Sequence, residues 1–173
     1  MTAGVYLHIP FCKSRCSYCD FATDVYRNGD AVERYVDAIC REIKGFNPKS
    51  KIQNPKWTDT IYFGGGTPSL LSPEQVERIL RAVYDKFAVE PAAEITMEMN
   101  PATVTSESLR SYRALGINRA SFGVQTFNDH ALKLLARGHN ADDAASGDQS
   151  FWFYRGSLNN PLFESGFPAP QER

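Results

Sequence analysis

The sequence predicts an α/β fold built on a parallel sheet, and three observations carry that reading. Short apolar or alternating runs that read as strands occur four times, and each is followed by a segment with helical spacing. The first three runs end abruptly, at Pro10, at Gly64 and at Asn100 with Pro101. The residues best suited to chemistry come directly after the strands, at their C-terminal ends, where parallel sheets build sites. Right-handed crossovers turn such a strand–helix rhythm into one continuous parallel sheet. At 173 residues the chain has room for one domain with its own core.

The first strand is expected over residues 5–9, with a loop at 20–30 marked by Asn28 and Gly29. Residues 31–46 carry Val32, Tyr35, Val36, Ile39 and Ile43 at helical spacing. Residues 47–55 hold two prolines and several lysines and form a connector. A second strand at 60–63 runs into Gly64, Gly65, Gly66, Thr67 and Pro68. Ser72 and Pro73 then open a helix, as N-cap and first helical residue, with Val76, Ile79, Leu80, Val83 and Phe87 on its apolar face. The third strand is 94–99. A helix from Thr105 follows, with Leu109, Tyr112 and Leu115 on one face and Gly116 just past its end. The fourth strand is 118–124, and Asn128 caps a helix over 129–136.

Hydrophobic content of 42% and charged content of 23% are those of an ordinary globular protein. A net charge of −1 gives no electrostatic case for nucleic acid or an anionic membrane. No apolar run approaches the ~20 residues of a spanning helix, and the N-terminus lacks the pattern of a signal peptide. Four cysteines, three of them on one short loop, do not read as a secreted disulfide framework, so a reducing cytoplasm is expected. Cys40 falls in a helical pattern and reads as a small core residue.

Cys12, Cys16 and Cys19 have the spacing C-x3-C-x2-C. Three thiolates on so short a loop can converge on one centre, yet they supply one ligand fewer than a closed zinc or all-cysteine iron–sulfur site requires. The loop therefore suggests an iron–sulfur cluster with one iron left open. The alternatives are a zinc knuckle with His8 as fourth ligand, or incidental buried thiols.

Other residues could line the same site. The glycine-rich turn lets the backbone approach a ligand and present its amides, or is simply a tight turn. Glu98 alternates onto one strand face with Thr96. An ionised carboxylate there accepts well from a ligand's hydroxyls, the alternative being a solvated strand carboxylate. Gln125, ending the fourth strand, can donate and accept. Arg137 can pair with a carboxylate or serve only as a charge at a helix C-terminus. Tyr6 lies on the strand before the loop and Tyr18 directly before the third cysteine. A strand tyrosine is by default a packing residue.

C-x3-C-x2-C with Tyr18 before the last cysteine resembles the radical S-adenosylmethionine (radical SAM) superfamily. The run from Tyr6 through His8, Ile9, Pro10 and Phe11 to Cys12 is similar to one branch of it, the anaerobic coproporphyrinogen III oxidase-like proteins and HemW-like haem chaperones. The resemblance implies a partial (β/α) barrel, of which about four βα units are present here, and a 4Fe-4S cluster on Cys12, Cys16 and Cys19. It implies S-adenosylmethionine (SAM) chelated to the open iron and cleaved by one electron to methionine and a 5′-deoxyadenosyl radical. The turn matches the family's Gly-Gly-Gly-Thr-Pro, which makes Gly65, Gly66 and Thr67 contacts to SAM. Glu98 with Asn100 and Pro101 matches Glu-x-Asn-Pro. Gln125 falls in a Gly-Val-Gln-Thr-Phe string close to the family's Gly-Val-Gln-Ser-Phe. Arg137 and His139 match Leu-x-Arg-x-His, with no role assigned to His139. Tyr6 and Tyr18 are further implied SAM neighbours. An electron donor such as flavodoxin or ferredoxin and a link to porphyrin or haem follow from the same resemblance.

Asp20 and Phe21 follow Cys19 where the oxidase proper carries a further cysteine two residues on, which favours the haem-chaperone side. Residues 1–144 are expected to form the radical SAM core, and 145–173 a divergent, irregular tail in which Ser, Gly, Asn and Pro punctuate isolated aromatics. The acidic SAM contact of the next strand is absent, with Leu162 near its place, so the chain is expected to be C-terminally incomplete. Four functions compete: a radical SAM oxidoreductase, a haem chaperone with cluster and SAM in a regulatory role, a zinc module, and an inactive fragment.

Overall fold

The structure is a computed structural model, and it describes residues 2–26, 29–47 and 57–145. The expected irregular tail and most of the 47–55 connector lie outside the described residues. Four strands form the main sheet: β1 (Thr2–Ile9), β4 (Trp57–Gly65), β5 (Val89–Met99) and β6 (Arg119–Phe122). They lie in the order β1-β4-β5-β6, and every pairing is parallel. Two residue pairs, β2 (Phe11–Cys12) and β3 (Asp24–Val25), make a small parallel bridge of their own. The helices are α1 (Gly29–Gly45), α2 (Pro73–Lys86), α3 (Ser106–Ala114), α4 (Asp129–Leu134) and α5 (Ala141–Ala145).

The strand order follows the chain without reversal. Right-handed crossovers that always step the same way put α1, α2 and α3 on one face, the arrangement of a barrel wall rather than of a doubly wound sheet. Burial agrees with this. Leu7, Ile9, Ile61, Phe63, Ile95, Met97, Met99 and Ala120 alternate along the strands onto the helix side and are buried. Val32, Val36, Ile43, Val76, Ile79 and Val83 meet them from α1 and α2. The other face is polar. The pairs Tyr6–Tyr62, Tyr62–Thr96 and Thr96–Arg119 run across it in register, with His8, Gly64 and Glu98 one step nearer the C-terminal ends. Parallel sheets are normally apolar on both faces, so a polar second face marks this one as the lining of a site.

The caps explain the helix ends. Ser72 and Gln75 form a capping box on α2, and Thr105 and Ser108 do the same on α3. Asn128 caps α4 through Ala131 N at 3.0 Å. α3 ends in a Schellman turn, Ile117 N to Tyr112 O and Gly116 N to Arg113 O, with Gly116 at φ 102°. α4 ends the same way, Arg137 N to Leu132 O and Ala136 N to Lys133 O, but Ala136 holds the left-handed position at φ 53°.

Several boundaries differ from expectation. The loop at 20–30 contains β3, because Asp24 N and Tyr26 N bond Pro10 O and Cys12 O, each at 2.7 Å. β5 starts earlier, at Val89, with a register irregularity where Thr58 pairs with Val89 and Thr60 with Glu94. Exposed Pro91 lies inside that irregularity, which is why periodicity alone hid the extension. β6 is shorter than 118–124, since the chain turns sharply after Phe122, and the helix expected over 129–136 stops at Leu134. Cys40 is half-buried against the core, its thiol directed at Arg78 O at 3.7 Å.

Candidate functional site

The cysteine loop hangs from the C-terminal end of β1. Its neck is closed by the β2–β3 bridge, so the residues between Cys12 and Asp24 project as one unit. Cys19 N bonds Cys16 O at 3.1 Å, a turn that brings the second and third thiols round. The far side is pinned to the end of α4: Ser17 donates to Leu135 O from its amide at 3.3 Å and to Leu134 O from its hydroxyl at 3.1 Å. The near side meets the glycine-rich turn, where Thr67 Oγ1 donates to Cys12 Sγ at 3.6 Å.

The three sulfurs feel one another. Burial pushes the Cys12 thiol above its ordinary range, and negative charge on Cys19 and Cys16 pushes the same way, while hydroxyls of Thr67 and Thr23 oppose. Arg137 Nη1 donates to Cys16 Sγ at 3.4 Å and so sets a fixed positive charge beside the second thiol. Among the described residues no group of three His, Cys, Asp or Glu side chains is placed to hold a metal ion. In a cluster each thiolate binds a different iron, so its ligands stand further apart than the donors around a single zinc. His8 is not brought to the thiols either. Its Nε2 donates to Ala22 O at 3.0 Å and its Nδ1 accepts from Tyr6 OH at 3.2 Å, so both ring nitrogens are engaged elsewhere. Three thiols with His8 engaged elsewhere lack the fourth side-chain donor of a closed zinc site, and so fit a cluster with one open iron better than a lone zinc ion.

The glycine-rich turn is built differently from expectation. Gly65 N donates to Glu98 Oε2 at 3.1 Å, Gly66 N to Ile9 O at 2.8 Å and Thr67 N to Phe11 O at 2.8 Å. These amides hold the turn to its neighbours and are not presented to a ligand. The glycines are needed for close approach. A Cβ on Gly66 would stand 2.7 Å from Phe11 O and 3.0 Å from Cys12 Sγ, and Gly65 has φ 115°. Glu98 is the other half of this arrangement, its Oε1 accepting from Tyr62 OH at 2.7 Å. Burial, then that hydrogen bond and the carboxylate charge, hold the Tyr62 phenol well above its usual range. Tyr6 stacks on Tyr62, ring centroids 6.0 Å apart and planes 21° apart, and is 58% exposed, so it lines the open polar face and is not a packing residue.

Gln125 stands just beyond β6 with φ 68°, a strained conformation for a residue with a side chain. Arg137 reaches three groups: Nη2 donates to Gly123 O, and Nη1 to Cys16 Sγ and to Tyr18 OH at 3.4 Å, leaving a buried Nε without a partner. Of the five guanidinium N–H groups these bonds use three, leaving Nε–H and one Nη2–H without a partner. Tyr18, Cys19, Asp20 and Phe21 line a cleft beside the third thiol. Sequence reasoning missed Tyr62, Ser17 and the part played by His8. For Tyr62 the period-2 alternation that put Glu98 with Thr96 was the available signal; nothing short of the fold brings Ser17 to α4.

A family model for the Radical SAM superfamily matches residues 6–147. The heme chaperone HemW of Synechocystis sp. is 43% identical over 148 residues, covering 83% of this chain and 35% of its own. The oxygen-independent coproporphyrinogen III oxidase of Bradyrhizobium diazoefficiens is 33% identical over 149 residues, covering 84% of this chain and 32% of its own. Among solved structures, coproporphyrinogen III oxidase (HemN) from Escherichia coli, titled a radical SAM enzyme, matches with TM-score 0.73 at 30% identity, covering 83% of this chain and 32% of that one. The chain thus spans about a third of the length of these relatives. Its open parallel sheet of βα units is the fold it shares with that solved structure, without a closed barrel among the described residues. By sequence and by fold alike, this chain belongs to the radical SAM superfamily.

Proposed function

We propose that this chain holds a 4Fe-4S cluster through Cys12, Cys16 and Cys19 and binds SAM across the C-terminal ends of the four main strands, as a radical SAM core linked to haem or porphyrin metabolism. The observation that carries the proposal is the cysteine loop itself, whose first thiol meets Thr67 and whose second meets Arg137. Residues 1–144 are the core in this reading. A reduced cluster bound there would supply one electron to the sulfonium of SAM, and the chain's own part would be positioning.

Each residue has a definite task. Gly65 and Gly66 allow the turn to lie against β1 and the cysteine loop, and Thr67 supplies a hydroxyl to Cys12. With the turn's amides engaged internally, the methionyl ammonium is the end of SAM that suits it, since an ammonium is satisfied by carbonyl oxygens. Glu98 retains lone pairs beyond those used by Gly65 and Tyr62 and can still accept from ribose hydroxyls. Gln125 offers an amide to the same ligand. Arg137 offers the methionyl carboxylate the N–H groups that its protein partners leave unused, while its charge favours the thiolate of Cys16. Tyr6 and Tyr18 flank the ligand on either side of the loop. A flavodoxin or ferredoxin is the proposed electron donor, and the proposed compartment is cytoplasmic. Among the described residues no helix is long and apolar enough to cross a membrane.

A second reading is a haem chaperone in which cluster and SAM regulate rather than react. The Cys19, Asp20, Phe21 sequence and the higher identity to the heme chaperone than to the oxidase favour it. Anaerobic reconstitution with iron and sulfide, followed by EPR with and without SAM, tests the common core. A cluster signal that shifts on adding SAM supports an open iron; zinc in the purified protein, or a signal indifferent to SAM, refutes it. Production of 5′-deoxyadenosine against haem titration then separates the two readings.

A further inference from the structure

The turn after β6 is held in an unfavourable shape by one short segment of chain. Thr126 N donates to Val124 O at 2.9 Å across Gln125, whose φ is 68°. An i to i+2 bond over a positive-φ residue is the rare and strained hand of the γ-turn. Such a conformation persists only where the surroundings impose it. Here they act on two consecutive carbonyls. Gly123 O accepts from Arg137 Nη2, and Val124 O accepts from His139 Nε2 at 3.0 Å. The Schellman turn of α4, with Ala136 left-handed, sends the chain back across the end of β6.

His139 is only 6% exposed, and its Nδ1 is buried without a partner. Because a carbonyl oxygen only accepts, Nε2 must carry the proton, and Nδ1 keeps a bare lone pair. Leaving that lone pair unsatisfied costs free energy. An apolar side chain would fill the same space without that cost, so the residue is explained by what Nε2 does. Burial first, with the charge of Arg137 adding to it, lowers the tendency of the ring to take a second proton, against the opposing Val124 bond and Asp143.

We propose that His139 is a positioning residue: with Arg137 it clamps the carbonyls of Gly123 and Val124, and so holds Gln125 in the strained turn that aims its amide into the site. The ligand half of this rests on the proposed contact between Gln125 and SAM. The clamp itself does not.

Two variants separate the roles. His139→Leu removes the donor at similar volume, and His139→Gln returns a donor, since a glutamine Nε2 reaches about as far as a histidine Nε2. Amide hydrogen exchange of Thr126 in the cluster-free chain reads the turn directly. Exchange about tenfold faster in His139→Leu, the equivalent of one net hydrogen bond, and restored in His139→Gln, supports the clamp. Unchanged exchange in His139→Leu, or no rescue by His139→Gln, overturns it. Titration of the reconstituted cluster's EPR signal with SAM reads the ligand half. Affinity about tenfold weaker in His139→Leu, recovered in His139→Gln and lost to a similar degree in Gln125→Ala, supports the whole proposal. Wild-type affinity in Gln125→Ala overturns the contact between Gln125 and SAM; weakened affinity there with wild-type affinity in His139→Leu overturns the positioning role.

Discussion

Replacing Glu98 tests whether its carboxylate organises the glycine-rich turn, apart from any ligand. Glu98 accepts from Gly65 N at 3.1 Å and from Tyr62 OH at 2.7 Å. Hydrogen bonds to an ionised group are worth about 1.5–3 kcal/mol each. The side chain is only half-buried, so water takes up part of the loss and the lower end applies. Glu98→Ala is therefore expected to cost about 3 kcal/mol. Glu98→Gln is expected to cost about 1 kcal/mol, because its carbonyl can face Gly65 N and its amide can donate to the Tyr62 oxygen. The assay is urea unfolding of the cluster-free chain with unchanged m-value, extended to a double-mutant cycle with Tyr62→Phe, whose coupling energy should be about 1.5 kcal/mol. The same variants predict a titration. Two of the causes that raise the Tyr62 phenol come from Glu98, so in Glu98→Gln it should ionise at lower pH, while burial, the largest cause, keeps it above the ordinary value of 10.0. A cost below about 0.5 kcal/mol for Glu98→Ala, with strict additivity to Tyr62→Phe, would show that the turn stands without the carboxylate and refute the reasoning.

Three further outcomes follow from single features. Ala136→Gly should stabilise the chain by about 1 kcal/mol in urea unfolding, because glycine removes the left-handed penalty at the end of α4; destabilisation would mean that the φ of 53° carries no strain. Tyr112, buried with its hydroxyl donating to Leu71 O at 2.7 Å, has its phenol pushed up to about 12, mainly by burial. A phenol pKa raised on folding leaves stability intact below the unfolded value of 10.0 and erodes it as pH rises toward about 12. Unfolding free energy should thus fall by about 3 kcal/mol over that window, and Tyr112→Phe should flatten the slope. Gly66→Ala drives a Cβ against Phe11 O at 2.7 Å and Cys12 Sγ at 3.0 Å. It should cost about 1–3 kcal/mol and lower the iron and sulfide retained after reconstitution; full retention would show that the turn can back away from the first thiol.

The strands, helices and caps were legible because each was signalled locally: alternation in 94–99, the apolar stripe of α2, Ser72 and Thr105 before their helices. The β2–β3 bridge and the early part of β5 were not, since two-residue pairings carry no period and Pro91 argues against a strand. Within the site, the residue types were readable and their partners were not. Arg137 reads from sequence as a partner for a carboxylate or as a helix C-terminal charge; in the fold, Gly123 O, Cys16 Sγ and Tyr18 OH take three of the N–H groups on its terminal nitrogens. The amides of Gly65, Gly66 and Thr67 read as ligand donors, yet their acceptors are Glu98, Ile9 and Phe11, two of them more than 50 residues away in sequence. Contacts at that separation depend on which strand ends the crossovers bring together, and no local window contains them.

The bonds around the cysteine loop form a closed circuit, which bears on how the site keeps its shape. Cys12 meets Thr67 at the end of β4; the same turn is tied through Gly65 to Glu98 on β5; Met99 O at the end of β5 accepts from Gly123 N beyond β6 at 3.0 Å; and Arg137 joins Gly123 O back to Cys16. Ser17 closes the same loop onto α4 by a second route. No one of these links is strong. Most are ordinary hydrogen bonds, each worth about 1 kcal/mol net, and two are long contacts to sulfur. Their arrangement matters because the cysteine loop has almost no apolar anchor of its own: Phe11 at its root is buried, but Tyr18, Phe21, Val25 and Tyr26 are exposed. A loop with so little core must be held by its polar neighbours, and those neighbours lie at the end of α4 or are tied to the ends of the other three main strands. The three thiols can then be kept together without a dedicated sub-core, because displacing the loop strains bonds reaching from β1 to α4.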